Sequence, residues 1–332
     1  MAVAAPAAGG YRDGVDATPR VPGGPPSTSS AIATRSLTKR FGDALALDRL
    51  ELDVRVGEVF GFLGPNGAGK TTTIRLLLDL LRPTSGTATV LGLDPRRDGV
   101  ELRARIGYLP GDVDLPARLS GRHHLEDHAA IRGRSLRHEI GELADRLGAD
   151  LDRPMGELSL GNRRKIAMID AFVHEPDLLV LDEPTGGLDP LVQQTFRVMA
   201  REAADAGRTV FLSSHVLDEV QHVADRVAVL RRGRVVAEDR VDVLLGRLTR
   251  TFRVRFAQVP DPDALARFDH VDGVRGVDVL EEGRHGEVEF AIDGAAGALL
   301  AALAPFGPLD LRSHDPDLED LFLGYYTGED AP

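Results

Sequence analysis

Residues Phe60 to Thr72 read FGFLGPNGAGKTT, and their pattern decides the fold. The apolar run Val59 to Leu63 has the length of a buried strand, while Ile74, Leu77, Leu78 and Leu81 recur on one helical face. Between them GxxxxGKT runs from Gly64 to Thr71. The order is strand, glycine loop, helix. Gly64, Gly67 and Gly69 are expected to take positive φ angles and turn main-chain N–H groups toward one concavity, where the helix N-terminus adds its positive dipole end. Such a nest, completed by Pro65, Asn66, Ala68 and Thr72, suits a polyphosphate. Lys70 is then expected to reach the β- and γ-phosphates, and the Thr71 hydroxyl to be a ligand for Mg²⁺. Lys and Arg together number 40, yet Lys39, Lys70 and Lys165 are the only lysines. One of the few compact ammonium groups therefore stands where a phosphate loop needs it.

Bulk properties narrow the remainder. At 332 residues the chain has room for about two domains with sizeable cores. Its net charge of −12 opposes a phosphate backbone, so no nucleic-acid partner is expected. The absence of cysteine excludes disulfides, thiolate metal sites and thiol catalysis, and fits a reducing cytosol. Residues 1–30 are rich in Ala, Pro, Gly and Ser without apolar periodicity, and are expected to form a disordered tail rather than a signal peptide. The longest apolar run, Ala295 to Ala304, is about half the ~20 residues that cross a bilayer.

Upstream of the glycine loop, Leu45, Leu47, Leu50, Leu52, Val54 and Val56 mostly alternate with polar residues, which predicts short strands between Ala31 and Val56. Phe41 offers a ring that could stack on a base or simply anchor a strand end. Thr87 to Leu91 and Ile106 to Leu109 read as further strands, and Ser120 to Gly148 as an inserted helical region. His123, His124 and His128 lie within that region, two of them one turn apart. No third-ligand motif accompanies them, so they read as a solvated helix face rather than a metal site.

GELSLGNRRK, Gly156 to Lys165, precedes a helical stretch in which Ile166, Ile169 and Val173 share a face. Ser159 is expected to cap that helix, with Gly161 leaving a main-chain N–H unobstructed. The unbroken apolar run Leu178 to Leu181 has the form of a strand buried on both faces and ends in Asp182 and Glu183. Another, Thr209 to Leu212, ends in Ser213, Ser214 and His215. Ligands of open parallel sheets gather beyond the carboxyl ends of the strands. Asp182 is therefore expected to contact Mg²⁺ through its outer shell, Glu183 to accept a proton from or orient an attacking water, and His215 to contact the γ-phosphate.

GPNGAGKTT, LSLGN, LLVLDEPTGGLDP and SSH, in this order, resemble the Walker A, signature, Walker B with D-loop, and switch-histidine motifs of ABC-type ATPases. The resemblance covers roughly Ile32 to Arg247. It implies an α/β fold with a P-loop ATPase core of ABC type, in which a mixed, mainly parallel sheet carries an antiparallel β subdomain and an inserted helical subdomain. It also implies ATP and Mg²⁺ as ligands and a head-to-tail homodimer. In that dimer Ser159, Gly161 and Asn162 of one copy face the nucleotide held by Lys70 of the other, with Asp189 of the D-loop across the interface. Phe41 matches the family's aromatic base-stacking position. Two departures stand out: Leu160 and Asn162 replace the usual glycine and glutamine of the signature, and Gly111 in IGYLPGD occupies the Q-loop glutamine position. Asp112 is the expected substitute for the missing side chain.

Beyond Arg250, Phe252, Val254 and Phe256 alternate, as do Val288, Phe290 and Ile292, with helix-like stretches at Pro262 to Phe268 and Gly294 to Ala304. The order βαββαβ predicts a small α+β domain of ferredoxin-like type over 250–332, following an ATP-binding domain over 31–247. The terminal DLEDLFLGYY puts Leu318, Leu321 and Phe322 on one helical face with Tyr325 nearby, and resembles the C-terminal extension of daunorubicin-resistance-type drug-exporter subunits. Such a helix either closes a core or serves dimerisation or regulation. The resemblance implies an ATP-hydrolysing subunit on the cytoplasmic face of the membrane, bound to an integral membrane permease that exports drugs or other small hydrophobic molecules. The alternative is a soluble ABC-type ATPase acting on ribosomes or DNA. A P-loop GTPase is excluded, since Asn66 and Asn162 are the only asparagines and neither begins an NKxD motif.

Overall fold

The computed structural model describes residues 30–246, 250–281, 286–293, 295–314 and 317–319. Its strands and helices follow one another as β1 (Ser30–Phe41), β2 (Ala44–Arg55), β3 (Val59–Leu63), α1 (Lys70–Leu77), β4 (Ser85–Val90), α2 (Gly99–Ala104), β5 (Ile106–Leu109), α3 (Gly121–Ile131), α4 (Arg137–Leu147), α5 (Leu160–Phe172), β6 (Leu178–Asp182), α6 (Pro190–Asp205), β7 (Thr209–Ser214), α7 (Leu217–Gln221), β8 (Arg226–Arg231), β9 (Arg234–Arg240) and α8 (Val241–Leu245). After these come β10 (Arg250–Phe256), α9 (Pro262–Phe268), β11 (Val274–Glu281), β12 (Gly286–Ile292), α10 (Gly297–Leu303) and β13 (Asp310–His314). No helix among the described residues is long and apolar enough to cross a membrane.

Three sheets result. The central one has the order β5-β6-β7-β3-β8-β9, parallel except for the β8–β9 hairpin. Strand β3 shows why it sits in the middle: all five of its residues are buried, and it faces a different core on each side. Val59 and Leu63 join the apolar cluster made with α3 to α6, whereas Phe60 and Phe62 join the cluster made with β1, β2 and α1. On that second side Phe211 of β7 stacks on Phe60 at 6.0 Å and 9° and meets Phe62 at 5.4 Å. Aromatic pairs of this kind add roughly 0.5–1.5 kcal/mol beyond the area they bury.

The second sheet is antiparallel, in the order β2-β1-β4. Here the expected short strands are two long ones of 12 residues each. Register shifts in the β1–β2 ladder and the left-handed backbone of Ser36 and Arg49 allow the inward face to change phase along the strand, as β-bulges do. Leu47, Leu50, Leu52 and Val54 are consequently buried, while Leu45, near the start of β2, and Val56, in the turn beyond its end, are exposed.

The third sheet has the order β11-β12-β10-β13, with every neighbouring pair antiparallel. The βαββαβ order is thus present, and the first strand lies between the third and fourth as in a split βαβ arrangement. Phe252, Val254, Phe256, Val288, Phe290 and Ile292 all point into its own apolar cluster, where Phe268 of α9 and Leu303 of α10 cover them. Leu318, by contrast, is buried in the cluster of α3 to α6, and its N–H donates to Gln221 Oε1 at 2.8 Å. Leu321, Phe322 and Tyr325 lie outside the described residues, as does the expected tail up to residue 29.

Candidate functional site

The carboxyl ends of β6, β7 and β3 are neighbours in the central sheet, so the three motifs predicted there converge. Main-chain bonds fix their tips: the N–H of Gly64 donates to the Ser214 carbonyl at 3.3 Å, and that of Glu183 to the Ser213 carbonyl at 3.1 Å. The glycine loop closes over these tips. Gly67 and Gly69 have φ angles of 80° and 118°, and Gly69 caps α1. Gly64 does not share their conformation, which corrects the expectation of three left-handed glycines. Its requirement is space, because a Cβ there would stand 2.5 Å from the Leu230 carbonyl oxygen.

Lys70 is 6% exposed, and its ammonium donates to the carbonyls of Gly64 at 2.6 Å and Pro65 at 3.3 Å. The same Nζ lies 3.2 Å from Glu183 Oε1. Glu183 in turn contacts His215, with Oε2 2.7 Å from Nδ1. It has a φ of 50°, uncommon for a residue with a side chain, and this left-handed step takes the chain off β6 directly after Asp182. Asp182 is 1% exposed and takes bonds on both oxygens, from Thr71 Oγ1 at 2.9 Å and Ser213 Oγ at 2.5 Å. A hydroxyl and a carboxylate side by side are the hard oxygen donors that Mg²⁺ prefers.

Other expected site residues stand apart from this cluster. Ser159 does cap α5, its Oγ accepting from the Asn162 N–H at 3.2 Å. The Asn162 amide is committed within the same chain: Oδ1 accepts from the Asp150 N–H at 2.9 Å, and Nδ2 donates to the Asp150 carbonyl at 2.8 Å. A Cβ at Gly161 would come 3.3 Å from the Gly187 carbonyl, so the signature turn abuts the loop that leads to Asp189. Asp189 caps α6 by accepting from the Val192 N–H at 3.0 Å. Phe41 is half exposed with Lys39 Nζ 4.7 Å above its ring. Among the described residues, no hydrogen bond or ion pair joins Ser159, Gly161, Asn162, Asp189 or Phe41 to Lys70, Thr71, Asp182, Glu183 or His215. Asn66 is exposed at the crest of the loop, Ala68 is buried, and Thr72 is half-buried on α1.

Gly111 sits against the acidic pair. A Cβ built on it would lie 3.3 Å from Asp182 Oδ2, so this position faces the carboxylate even though it carries no side chain. Asp112 beside it is exposed.

The sequence reading missed Arg164. It is 5% exposed on α5 and donates from Nη1 to the Gly111 carbonyl at 2.9 Å, from Nε to the Pro184 carbonyl at 3.1 Å, and from Nη2 to the carbonyls of Asp182, at 3.3 Å, and Glu183. Burial pulls its pKa down, against the upward pull of Glu183, Asp182, Asp112 and Glu219. A signal was available: Arg164, Ala167, Met168 and Ala171 share the buried face of α5, so a charge at its head needed partners. Tyr108, at the end of β5, is held above its ordinary pKa by burial and by the Asp182 carboxylate.

The family model described as ABC transporter matches residues 47–186. The chain is 37% identical over 213 residues to the bacitracin transport ATP-binding protein BcrA of Bacillus licheniformis, covering 63% of this chain and 70% of that protein. It is 40% identical over 220 residues to the daunorubicin resistance ATP-binding protein DrrA3 of Streptomyces coeruleorubidus, covering 65% and 70%. A probable multidrug ABC transporter ATP-binding protein of Escherichia coli, YbhF, is 36% identical over 220 residues, which are 65% of this chain but only 38% of that protein. Among solved structures, the ATP-binding subunit of an ABC transporter superposes with a TM-score of 0.61 at 28% identity, covering 65% of this chain and 92% of the other. A dimeric ATP-binding cassette bound to ADP and Pi shares the fold at 22% identity and a TM-score of 0.57, over 63% of this chain and 98% of its own.

Proposed function

The chain belongs to the ABC transporter family of ATP-binding, ATP-hydrolysing proteins, and from that premise we propose how its residues divide the work. The observation that carries the reading is the convergence of Lys70, Glu183 and His215, ammonium, carboxylate and imidazole, at adjacent strand tips. Lys70 and main-chain N–H groups of the loop beyond Pro65 hold the β- and γ-phosphates of ATP, and Phe41 stacks on the base. Entry of the γ-phosphate separates the Lys70 ammonium from Glu183. Glu183 then turns to the attacking water and accepts its proton, while His215 contacts a γ-phosphate oxygen. The water oxygen bonds to the γ-phosphorus as the bond from that phosphorus to the bridging oxygen breaks, leaving ADP and inorganic phosphate.

Thr71 and Asp182 fit a Mg²⁺ ion by the chemistry of their oxygens, Thr71 as direct ligand and Asp182 through its outer shell. An ion held there would supply neutralising charge for the phosphates. Two copies pair head to tail so that Ser159 and Gly161 of each reach the nucleotide of the other, with Asn162 bracing that turn against Asp150 and Asp189 at the interface. That none of these residues meets Lys70 within one chain is in keeping with a site completed across a dimer.

The ATP-binding unit spans 31–247 and drives a separate integral membrane permease from the cytoplasmic face by closing on ATP and reopening after hydrolysis. The cargo class is drugs or other small hydrophobic molecules, by likeness to relatives whose names speak of bacitracin transport and daunorubicin resistance. The unit at 250–332 is an accessory or regulatory domain. Purification of the tagged chain from native membranes tests the reading. An integral membrane polypeptide is expected to come with it, and ribosomal or DNA-bound proteins in its place would overturn the transporter assignment.

A further inference from the structure

Two histidines and a carboxylate meet where α3 packs on α5, away from the phosphate loop. His124 and His128 are one turn apart on α3, their rings 4.1 Å between centroids and tilted by 52°. Asp170, near the end of α5, approaches His128 with Oδ2 2.9 Å and Oδ1 3.1 Å from Nδ1. One ligand atom from each of the three lies within 4.8 Å of the others, the one such group of three among the described residues. The expectation of a solvated helix face holds for His123, whose side chain is 62% exposed, but not for His124, which is 6% exposed, and the third group comes from a helix far along the chain.

The decisive atom is His124 Nε2, which is buried without a hydrogen-bond partner. A neutral imidazole has one N–H donor and one lone pair, and buried polar atoms of native folds are satisfied in the great majority of cases. A His128–Asp170 ion pair with the His124 ring tilted against it leaves that nitrogen unexplained. A cation bound at that nitrogen would satisfy it. We propose that His124, His128 and Asp170 form a site for a divalent transition metal of the zinc class, pinning α3 to α5, with water completing the coordination. Two imidazoles and one carboxylate suit zinc, cobalt or nickel better than Mg²⁺, which takes oxygen donors. Tetrahedral bonds of ~2.0–2.1 Å set ligand atoms about 3.3 Å apart, so the His128–Asp170 contact opens by a few tenths of an ångström and the widest separation closes. Burial and the neighbouring His128 lower the His124 pKa, which favours the neutral ring a metal requires, whereas Asp170 raises that of His128, whose proton the metal must displace. Entry is from the side of His128 and Asp170, whose side chains are 43% and 27% exposed.

The test uses the full chain stripped of metal, titrated with Co²⁺ in the presence of excess Mg²⁺ that occupies hard oxygen sites. One equivalent is expected to bind with the visible bands of four-coordinate cobalt, to be displaced by Zn²⁺, and to raise the thermal midpoint. His128→Ala and Asp170→Asn are each expected to weaken that uptake by at least about tenfold, whereas His123→Ala, an exposed neighbour, leaves it unchanged. Failure of the unaltered chain to take up one equivalent, or unchanged uptake in the Asp170→Asn protein, overturns the site. The readout is metal binding, so it is independent of the ATPase reading.

Discussion

Arg164 Nη1 donates to the Gly111 carbonyl at 2.9 Å, joining the helix that begins at the signature turn to the loop that follows β5. Gly111 in turn faces Asp182, so one guanidinium ties the signature helix, the Q-loop position and the strand tip bearing the acidic pair. Gly111 has no side chain, yet its main chain is held by this bond. One buried side chain thus joins α5 to the strand tip beside the phosphate loop by hydrogen bonds alone.

Arg164→Met is accordingly predicted to leave the carbonyls of Gly111, Asp182, Glu183 and Pro184 without this donor. The expected cost is about 3 kcal/mol, a fall of roughly 6–12 °C in thermal midpoint. At a temperature where the variant stays folded, kcat for ATP should drop about tenfold with little change in KM, because the loop that binds phosphate is not touched. An unaltered kcat would show that the tie is structural only.

Glu183→Gln keeps the shape of the side chain but removes the proton acceptor. Hydrolysis is predicted to slow by about 10²–10⁴-fold with ATP binding largely retained. Lys70→Ala should instead weaken ATP binding itself, since it deletes the ammonium aimed at the phosphates. Equilibrium binding and single-turnover hydrolysis, measured on both proteins, distinguish the two roles, and the reverse order of effects would reject the assignment.

Asp112 is exposed next to Gly111 and is the nearest carboxylate in sequence to the vacant glutamine position. If it substitutes there, Asp112→Ala should lower ATPase and transport rates together by several-fold. Rates equal to those of the unaltered protein remove Asp112 from the site.

His174 gives a pH signature of folding. It is buried, and burial pushes its pKa below the ordinary 6.5, with Arg132 adding to the effect against the upward pull of its backbone neighbours. A depressed folded pKa means that the unfolded chain takes up the proton first, so stability present above pH 6.5 is lost as pH falls toward the folded value. His174→Gln can still donate to the Ile106 carbonyl that Nε2 approaches at 3.2 Å, but it cannot titrate. Thermal midpoints are expected to be lower for the variant by an amount worth about 1 kcal/mol near pH 8, with the gap narrowing near pH 5.5. A gap that stays constant with pH would mean that His174 titrates normally.

Much was legible from the chain itself, and the reason lies in short-range physics. Strands β3, β6 and β7 are read directly from apolar runs buried on both faces, and the βαββαβ order from alternation and helical spacing. The phosphate loop follows from glycine, lysine and threonine at fixed offsets, where a local turn makes its own nest. Three features needed the tertiary structure. The phase change in β2 between Leu47 and Leu50 arises from pairing across a bulged ladder. Arg164 acquires its meaning only when α5 lies against the tip of β6, because its partners are carbonyls, and a carbonyl has no letter in a sequence. Asp170 joins His124 and His128 only because α3 packs on α5, a contact between segments that no local pattern relates. Residue type and spacing thus determined which elements form and which chemistry each carries. Long-range packing alone decided which of those chemistries touch.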